Sequence, residues 1–365
     1  MIIGINAKAA FHYPVTGLEE YTVRLISNLA AEAKRQRLRT LFYAPRFVHD
    51  DMPDVPLHTL RASRMWTQGR LALEFFLHPP DVFFNPEQIL PFFSPAKSVV
   101  TVHDIAFEMY PQYYPRRHRW YLHRVTKRAV KRAARIIAVS ERTRRDIAKC
   151  YGIPHRAIEV IHHGFSSPAR IHHQSIASEI QTSAFPFPLP YVLSLGRIEY
   201  KKNLLNLISA FERVKKESGG PLSLVFAGGN GFGTPVIRQR ALNSAFAKDI
   251  YFLGYIDQEM RHALYREAAV FAFPSLYEGF GLPVLEAQSF GIPVVTSNGS
   301  ALPEIAGEGA LFVDPEISES IAGGILEALT NSKKRQLLIK QGYQNLERFS
   351  WETCARKTLK VLTNL

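Results

Sequence analysis

Short apolar runs recur along the first half of the chain, at residues 1–5, 40–43, 82–85, 98–102 and 135–139, and helical stretches separate several of them. Strands that alternate with helices predict a doubly wound α/β domain. Residues 166–190 break the pattern with Ser, His and Pro, ending in FPFPLP, a string hostile to both helix and inner strand. The alternation then restarts with YVLSLG, a helix after Asn203, LSLVFAG, a helix after Thr234, IYFLG, a helix opened by Asp257, and AVFAFPS. A last helix follows Ser350, a good N-cap residue, and runs to the end. The pattern predicts two α/β domains, Rossmann-like and doubly wound, at 1–170 and 191–349, joined by a linker at 171–190 and closed by a helix over 350–365.

Composition supports this picture. A chain of 365 residues with 46% apolar content can bury a core in each of two ordinary domains. Cys150 and Cys354 lie far apart with no partner spacing, which excludes a disulfide framework or a cysteine zinc site and fits a reducing compartment. The opening MIIGIN reads as a core strand, without the basic start and long apolar run of a signal peptide. No segment reaches the roughly 18 unbroken apolar residues of a membrane span. The expectation is a cytoplasmic protein, attached at most to the inner face of the membrane.

Net charge changes the picture, because a formal +13 attracts anionic partners. Much of the excess lies in residues 116–145, whose first half interleaves aromatic residues with Lys and Arg at helical spacing. A solvated helix face and a patch for anionic lipid headgroups both fit this stretch. Nucleic acid ranks below them, since no zinc-finger spacing, RNP-like motif or Gly-x-x-Gly loop of the usual nucleic-acid-binding modules is found.

Two such domains facing each other would form a cleft at the carboxyl ends of both sheets, so chemistry should sit in the turns after strands. In EGFGLPVLE, Gly279 and Gly281 free the backbone to approach a ligand, and Pro283 suits the first turn of a helix. That helix terminus, with its unpaired amides and the positive end of its dipole, would make an anion site suited to a diphosphate. Glu286 is expected in the first turn, kept ionised by the helix dipole and able to accept two hydrogen bonds from a ribose diol. Glu278 would lie deeper, on hydroxyls of the group attached to the diphosphate. A plain glycine turn with one dipole-stabilising Glu explains the same residues taken alone. In GRIEYKKN, Arg197 and Lys202 form a cationic pair able to neutralise a departing nucleoside diphosphate without a metal. No Asp-x-Asp pair is present, and His162, His163, His172 and His173 lack the spacing and acidic neighbours of metal ligands. His103 and Asp104 end the run SVVTV and offer a polar contact to a sugar or acceptor. Gly17, in VTGLEEYT, would let the first turn approach the donor phosphate.

Read in order, GRIEYKKN, LVFAGG, FLGYID, FPSLYEGFGLPVLEA, PVVTSNGSALPEIAGEGALFVDP and FSWETCA resemble the donor domain and closing segment of the GT4 family of glycosyltransferases, and HDIAF and RIIAVSERTRRDI extend the resemblance into the first half. It covers nearly the whole chain, and its most specific piece is the pair of glutamates eight positions apart, Glu278 and Glu286. The resemblance implies a GT-B fold, with an acceptor domain first, a donor domain second and a C-terminal helix packing back on the first. It implies that Glu278 contacts donor-sugar hydroxyls, Glu286 the ribose, Arg197 and Lys202 the diphosphate, that the amides of Gly279, Phe280, Gly281 and Leu282 hold sugar and phosphate, and that His103 lies beside the transferred sugar. Transfer would retain anomeric configuration, with the leaving phosphate assisting the incoming hydroxyl and no cofactor or metal required. Many members carry two adjacent glycines where this chain has Thr16 and Gly17, a departure that touches the phosphate contact.

The same motifs look most like the bacterial mannosyltransferase branch that builds O-chains and exopolysaccharides from GDP-mannose. Implied partners are a nucleotide-sugar donor and a glycan or lipid-linked acceptor, with glucosyl or rhamnosyl transfer from a UDP-, ADP- or dTDP-sugar as the alternative. An epimerase on the same fold, or a non-catalytic binder of anionic polymers, are the rivals from other classes. A phosphorylase would need a pyridoxal phosphate lysine, for which no position stands out.

Overall fold

The computed structural model describes residues 1–11, 17–45, 55–62, 65–167 and 185–365. Thr16, His172 and His173 and the linker up to residue 184 lie outside them. The chain divides into two compact units, one of Met1–Met109, Pro115–Phe165 and Phe349–Leu365, the other of Tyr110–Tyr114 and Ser166–Arg348.

Unit 1 is built on a seven-stranded parallel sheet in the order β3-β2-β1-β4-β5-β6-β7. Its strands are β1 (Ile2–Asn6), β2 (Arg39–Ala44), β3 (Leu57–Thr59), β4 (Val82–Asn85), β5 (Ser98–Val102), β6 (Arg135–Ala138) and β7 (Ile158–Val160). The five apolar runs of the first half therefore all form strands. β3 and β7, three residues each, escaped the pattern because so short a segment shows no periodicity. Every residue of β4 and β5 is buried, as expected of strands covered by helices on both faces.

Unit 2 repeats the design with six parallel strands in the order β10-β9-β8-β11-β12-β13. These are β8 (Tyr191–Leu195), β9 (Ser223–Ala227), β10 (Ile250–Gly254), β11 (Val270–Phe273), β12 (Val294–Ser297) and β13 (Leu311–Val313). The helices expected after Asn203, Thr234 and Asp257 are Leu204–Ser218, Thr234–Leu242 and Gln258–Glu267. Asp257 caps the last by accepting from Met260 N at 2.8 Å. FPFPLP is more than a spacer: Phe185 and Phe187 stack on each other and pack edge-on to Tyr191 in the core of unit 2.

In both sheets the strand order reverses once, between β1 and β4 and between β8 and β11. Such switch points open a crevice at the carboxyl ends of the flanking strands, where open α/β sheets bind ligands. The closing helix Trp351–Thr363, capped by Ser350 accepting from Thr353 N at 3.2 Å, belongs to unit 1. Trp351, Cys354, Leu359 and Leu362 join the cluster of Ile3, Ile5, Leu25 and Val82. Each large apolar side chain so buried contributes about 1.5–3 kcal/mol. Gly164 passes so close that a Cβ there would lie 2.4 Å from Trp351 Cα.

Candidate active site

In unit 2 the crevice at the β8/β11 switch point is shaped by glycines. Gly196 and Gly228 leave β8 and β9 with φ of +142° and +145°, and a Cβ on Gly228 would sit 2.0 Å from Gly196 O. Only glycines allow this approach. The turn that follows, GRIEYKKN, is tied down at its far end by Asn203, whose left-handed backbone lets Nδ2 donate to Pro274 O at 3.1 Å and Pro315 O at 2.5 Å. Leu276 N donates to Lys201 O at 2.9 Å, so the turns after β8 and β11 lie against each other.

This contact brings two expected site residues together. Lys202 Nζ donates to Glu278 Oε1 at 2.6 Å and lies 4.6 Å from the centre of the Phe273 ring, with both charged side chains largely buried. Arg197 is exposed on the same turn, and among the described residues its guanidinium has no ion-pair partner. The backbone of Glu278 is clamped by Ser300: its N–H donates to Ser300 Oγ at 2.6 Å, and that hydroxyl donates back to Glu278 O at 2.5 Å. Ser300 holds this position from a left-handed backbone, φ +63°.

Beyond Glu278 the chain enters the helix Leu282–Ser289 through Gly281, whose φ of +120° and 2.9 Å approach of a Cβ to Leu302 Cδ2 require glycine. Its N-cap residue, Gly281, has no side chain to cap this terminus, and Pro283 occupies its first turn. Glu286 departs from expectation. The first turn carries no acidic residue, and Glu286 lies one turn further in, beyond the strongest part of the dipole. Side chains hold it instead: Arg261 donates to Oε1, and Tyr265 OH donates to Oε2 at 2.8 Å. Tyr265 is fully buried, and burial together with the Glu286 charge raises its pKa well above 10.0. A carboxylate has about four acceptor positions, so Glu286 retains capacity for a diol. Arg261 and Tyr265 were not anticipated; the available signal was an Arg and an aromatic four apart, on one face of Gln258–Glu267.

In unit 1, His103 follows β5 directly. Its Nε2 lies 2.8 Å from Pro86 O, so this nitrogen carries the hydrogen and Nδ1 is the acceptor. Burial lowers its pKa from 6.5, against the opposing pull of the Pro86 carbonyl, Asp104 and Glu19, which leaves a neutral ring near pH 7. The ring packs edge-on to Tyr21 at 4.7 Å and beside His163 at 5.3 Å. Asp104 Oδ1 accepts from Ala106 N at 3.1 Å, so part of its capacity caps the following turn. Gly17 is exposed at the start of the helix Gly17–Arg35. At the switch point Asn6 Nδ2 donates to Asn85 Oδ1 at 3.0 Å, and burial raises the pKa of neighbouring Glu87, an effect that Lys8 opposes. Of the paired histidines, His163 is buried between Tyr21 and Trp351, and His162 lies on Phe349. Among the described residues no group of three or more His, Cys, Asp or Glu is arranged around a common point.

Known proteins match both halves of the chain. The profile of the Glycosyltransferase Family 4 matches residues 15–167, and that of Glycosyl transferases group 1 matches residues 176–345. O-antigen chain mannosyltransferase B of Escherichia coli is 29% identical over 379 residues, covering 98% of each chain. Sucrose-phosphate synthase from Thermosynechococcus elongatus superposes with a TM-score of 0.74 at 19% identity, over 100% of this chain and 98% of its own. HepE of Anabaena, solved in complex with UDP-glucose, superposes with a TM-score of 0.72 at 18% identity, over 100% of both chains. The fold is therefore GT-B, with two Rossmann-like parallel sheets. With a family 4 domain in unit 1 and a group 1 domain in unit 2, the chain belongs to the GT4 glycosyltransferases.

Proposed function

We propose that this glycosyltransferase moves mannose from GDP-mannose, with retention of configuration, to a glycan or lipid-linked acceptor in the synthesis of a bacterial surface polysaccharide. The observation that carries the sugar is the end-to-end match to an O-antigen chain mannosyltransferase. The chemistry rests on the Lys202–Glu278 pair at the β8/β11 switch point. An ammonium has three donors and spends one on Glu278, so Lys202 keeps two for a diphosphate, and Arg197 adds a second cation. Their charge offsets what accumulates on the leaving phosphate as the glycosidic bond breaks, the role a divalent metal plays elsewhere. Glu278 Oε2 is left to accept from sugar hydroxyls, Glu286 from the ribose, and the Gly279–Gly281 turn brings amides to the phosphates. In unit 1, His103 and Asp104 face the transferred sugar or the acceptor hydroxyl, and Gly17 approaches the phosphate. Reaction occurs on the cytoplasmic side of the membrane.

A second reading, hexosyl transfer from a UDP-sugar, is favoured by the similarity to HepE in complex with UDP-glucose. Radiolabelled GDP-mannose, UDP-glucose, ADP-glucose and dTDP-rhamnose, offered with acceptor lipid extract in the presence of EDTA, separate the two. The proposal predicts EDTA-insensitive transfer from GDP-mannose and an α-mannosidic product by NMR. Turnover with a UDP-sugar alone overturns the mannose assignment, and loss of activity in EDTA overturns metal independence.

A further inference from the structure

The helix Arg116–Arg132 carries eight Lys and Arg and no acid, and no Asp or Glu occurs from residue 109 to 140. Glu108, the nearest acid in sequence, is occupied by His123 at 2.6 Å and Tyr151 at 2.9 Å. Among the described residues no Lys or Arg of this helix forms a salt bridge, so the positive face is uncompensated. Trp120 and Tyr121 stand exposed on it, with Arg124 over the Trp120 ring at 5.1 Å.

A second feature adjoins this face. Leu73, Phe76 and Leu77 project from the helix Leu71–Leu77, and Phe92 and Phe93 from the loop after β4, each more than half exposed. The rings of Phe76 and Phe93 meet at 5.6 Å. Arg128 joins the groups, lying 4.3 Å over the Phe92 ring while donating to Phe92 O at 3.1 Å. Isolated exposed apolar residues are ordinary; a contiguous crest of them marks an interaction site.

We propose that this two-part face docks unit 1 on an anionic lipid bilayer, with the apolar crest inserted between headgroups and the basic helix lying on them. Phosphate headgroups complement the helix, and the acyl boundary complements the crest. A nucleic acid would satisfy only the cations, and a second copy of this strongly basic chain would meet like charge. The inference deepens the reading of a lipid-linked acceptor and rests on it for the biological setting; vesicle binding stands apart from the transfer reaction.

Flotation of the full chain with vesicles of phosphatidylcholine, with and without phosphatidylglycerol, tests it. Binding is expected only with phosphatidylglycerol, falling as salt rises. The pair Arg124→Glu and Lys127→Glu should weaken it about tenfold or more, and the pair Phe76→Ser and Phe93→Ser about tenfold with the salt dependence unchanged. Both variants should keep the wild-type melting temperature and nucleotide binding, which separates this proposal from the donor assignment. Equal flotation with neutral vesicles, indifference to the Phe76/Phe93 pair, or dimerisation through the crest in light scattering overturns it.

Discussion

Glu286 shows how one residue's surroundings decide what it can do. It is nearly buried, and a buried carboxylate without partners is costly. Arg261 supplies the opposite charge and Tyr265 fixes the second oxygen, so the carboxylate is paired and oriented before a ligand arrives. Tyr265→Phe removes one hydrogen bond of about 1 kcal/mol and releases that orientation. If Glu286 binds the ribose, the donor KM should rise several-fold while kcat changes little, and a purely structural tyrosine would lower stability with KM unmoved. Arg261→Ala should cost about 3 kcal/mol in urea unfolding, because it strands a buried charge. The sequence marked Glu286 through its spacing from Glu278 and the glycines between them. It did not mark Arg261 or Tyr265, which come from a helix some twenty residues upstream and meet Glu286 only in the folded unit. Ser300 was hidden in the same way, since its clamp on Glu278 spans 22 positions.

Among elements, long apolar runs were legible and short edge strands were not. β4 and β5 announce themselves as mainly apolar stretches, VFFN and SVVTV, whereas β3 and β7 depend on neighbours for their pairing. The helix at Leu282–Ser289 was legible from Gly281 and Pro283, but the place of Glu286 within it was set a turn too early. The closing helix gives the element scale its own prediction. Trp351 stacks against His163 at 6.4 Å, and His163 lies against Tyr21 at 4.4 Å and beside His103. Burial lowers the pKa of both imidazoles below 6.5, with His103 and His162 adding to the effect on His163. A depressed folded-state pKa means that the unfolded chain binds the proton more readily. The stability contribution is therefore whole above about pH 6.5 and is lost as pH falls toward the lowered values. Urea unfolding should show stability dropping as pH falls below about 6.5, with a shallower fall in His163→Gln. A flat profile over that range contradicts the buried neutral pair.

For the molecule as a whole, the same strand order appears twice, and each unit places its candidate residues at the carboxyl ends of its strands. Alternating apolar runs and a Pro-rich break made this repetition readable, because parallel sheets need buried strands and helical crossovers. What the pattern could not supply was contact: Lys202 and Glu278 are 76 positions apart and were expected as separate binders of phosphate and sugar, yet they pair at 2.6 Å. On the proposed reading, that pair makes the donor grip a single charged unit, with Glu278 orienting the sugar without attacking it. Transfer of radiolabelled mannose from GDP-mannose by wild type and Glu278→Gln, alongside their melting temperatures, tests this most directly. The account predicts a loss of about a hundredfold or more in kcat/KM with the fold intact. Wild-type turnover by Glu278→Gln would contradict it.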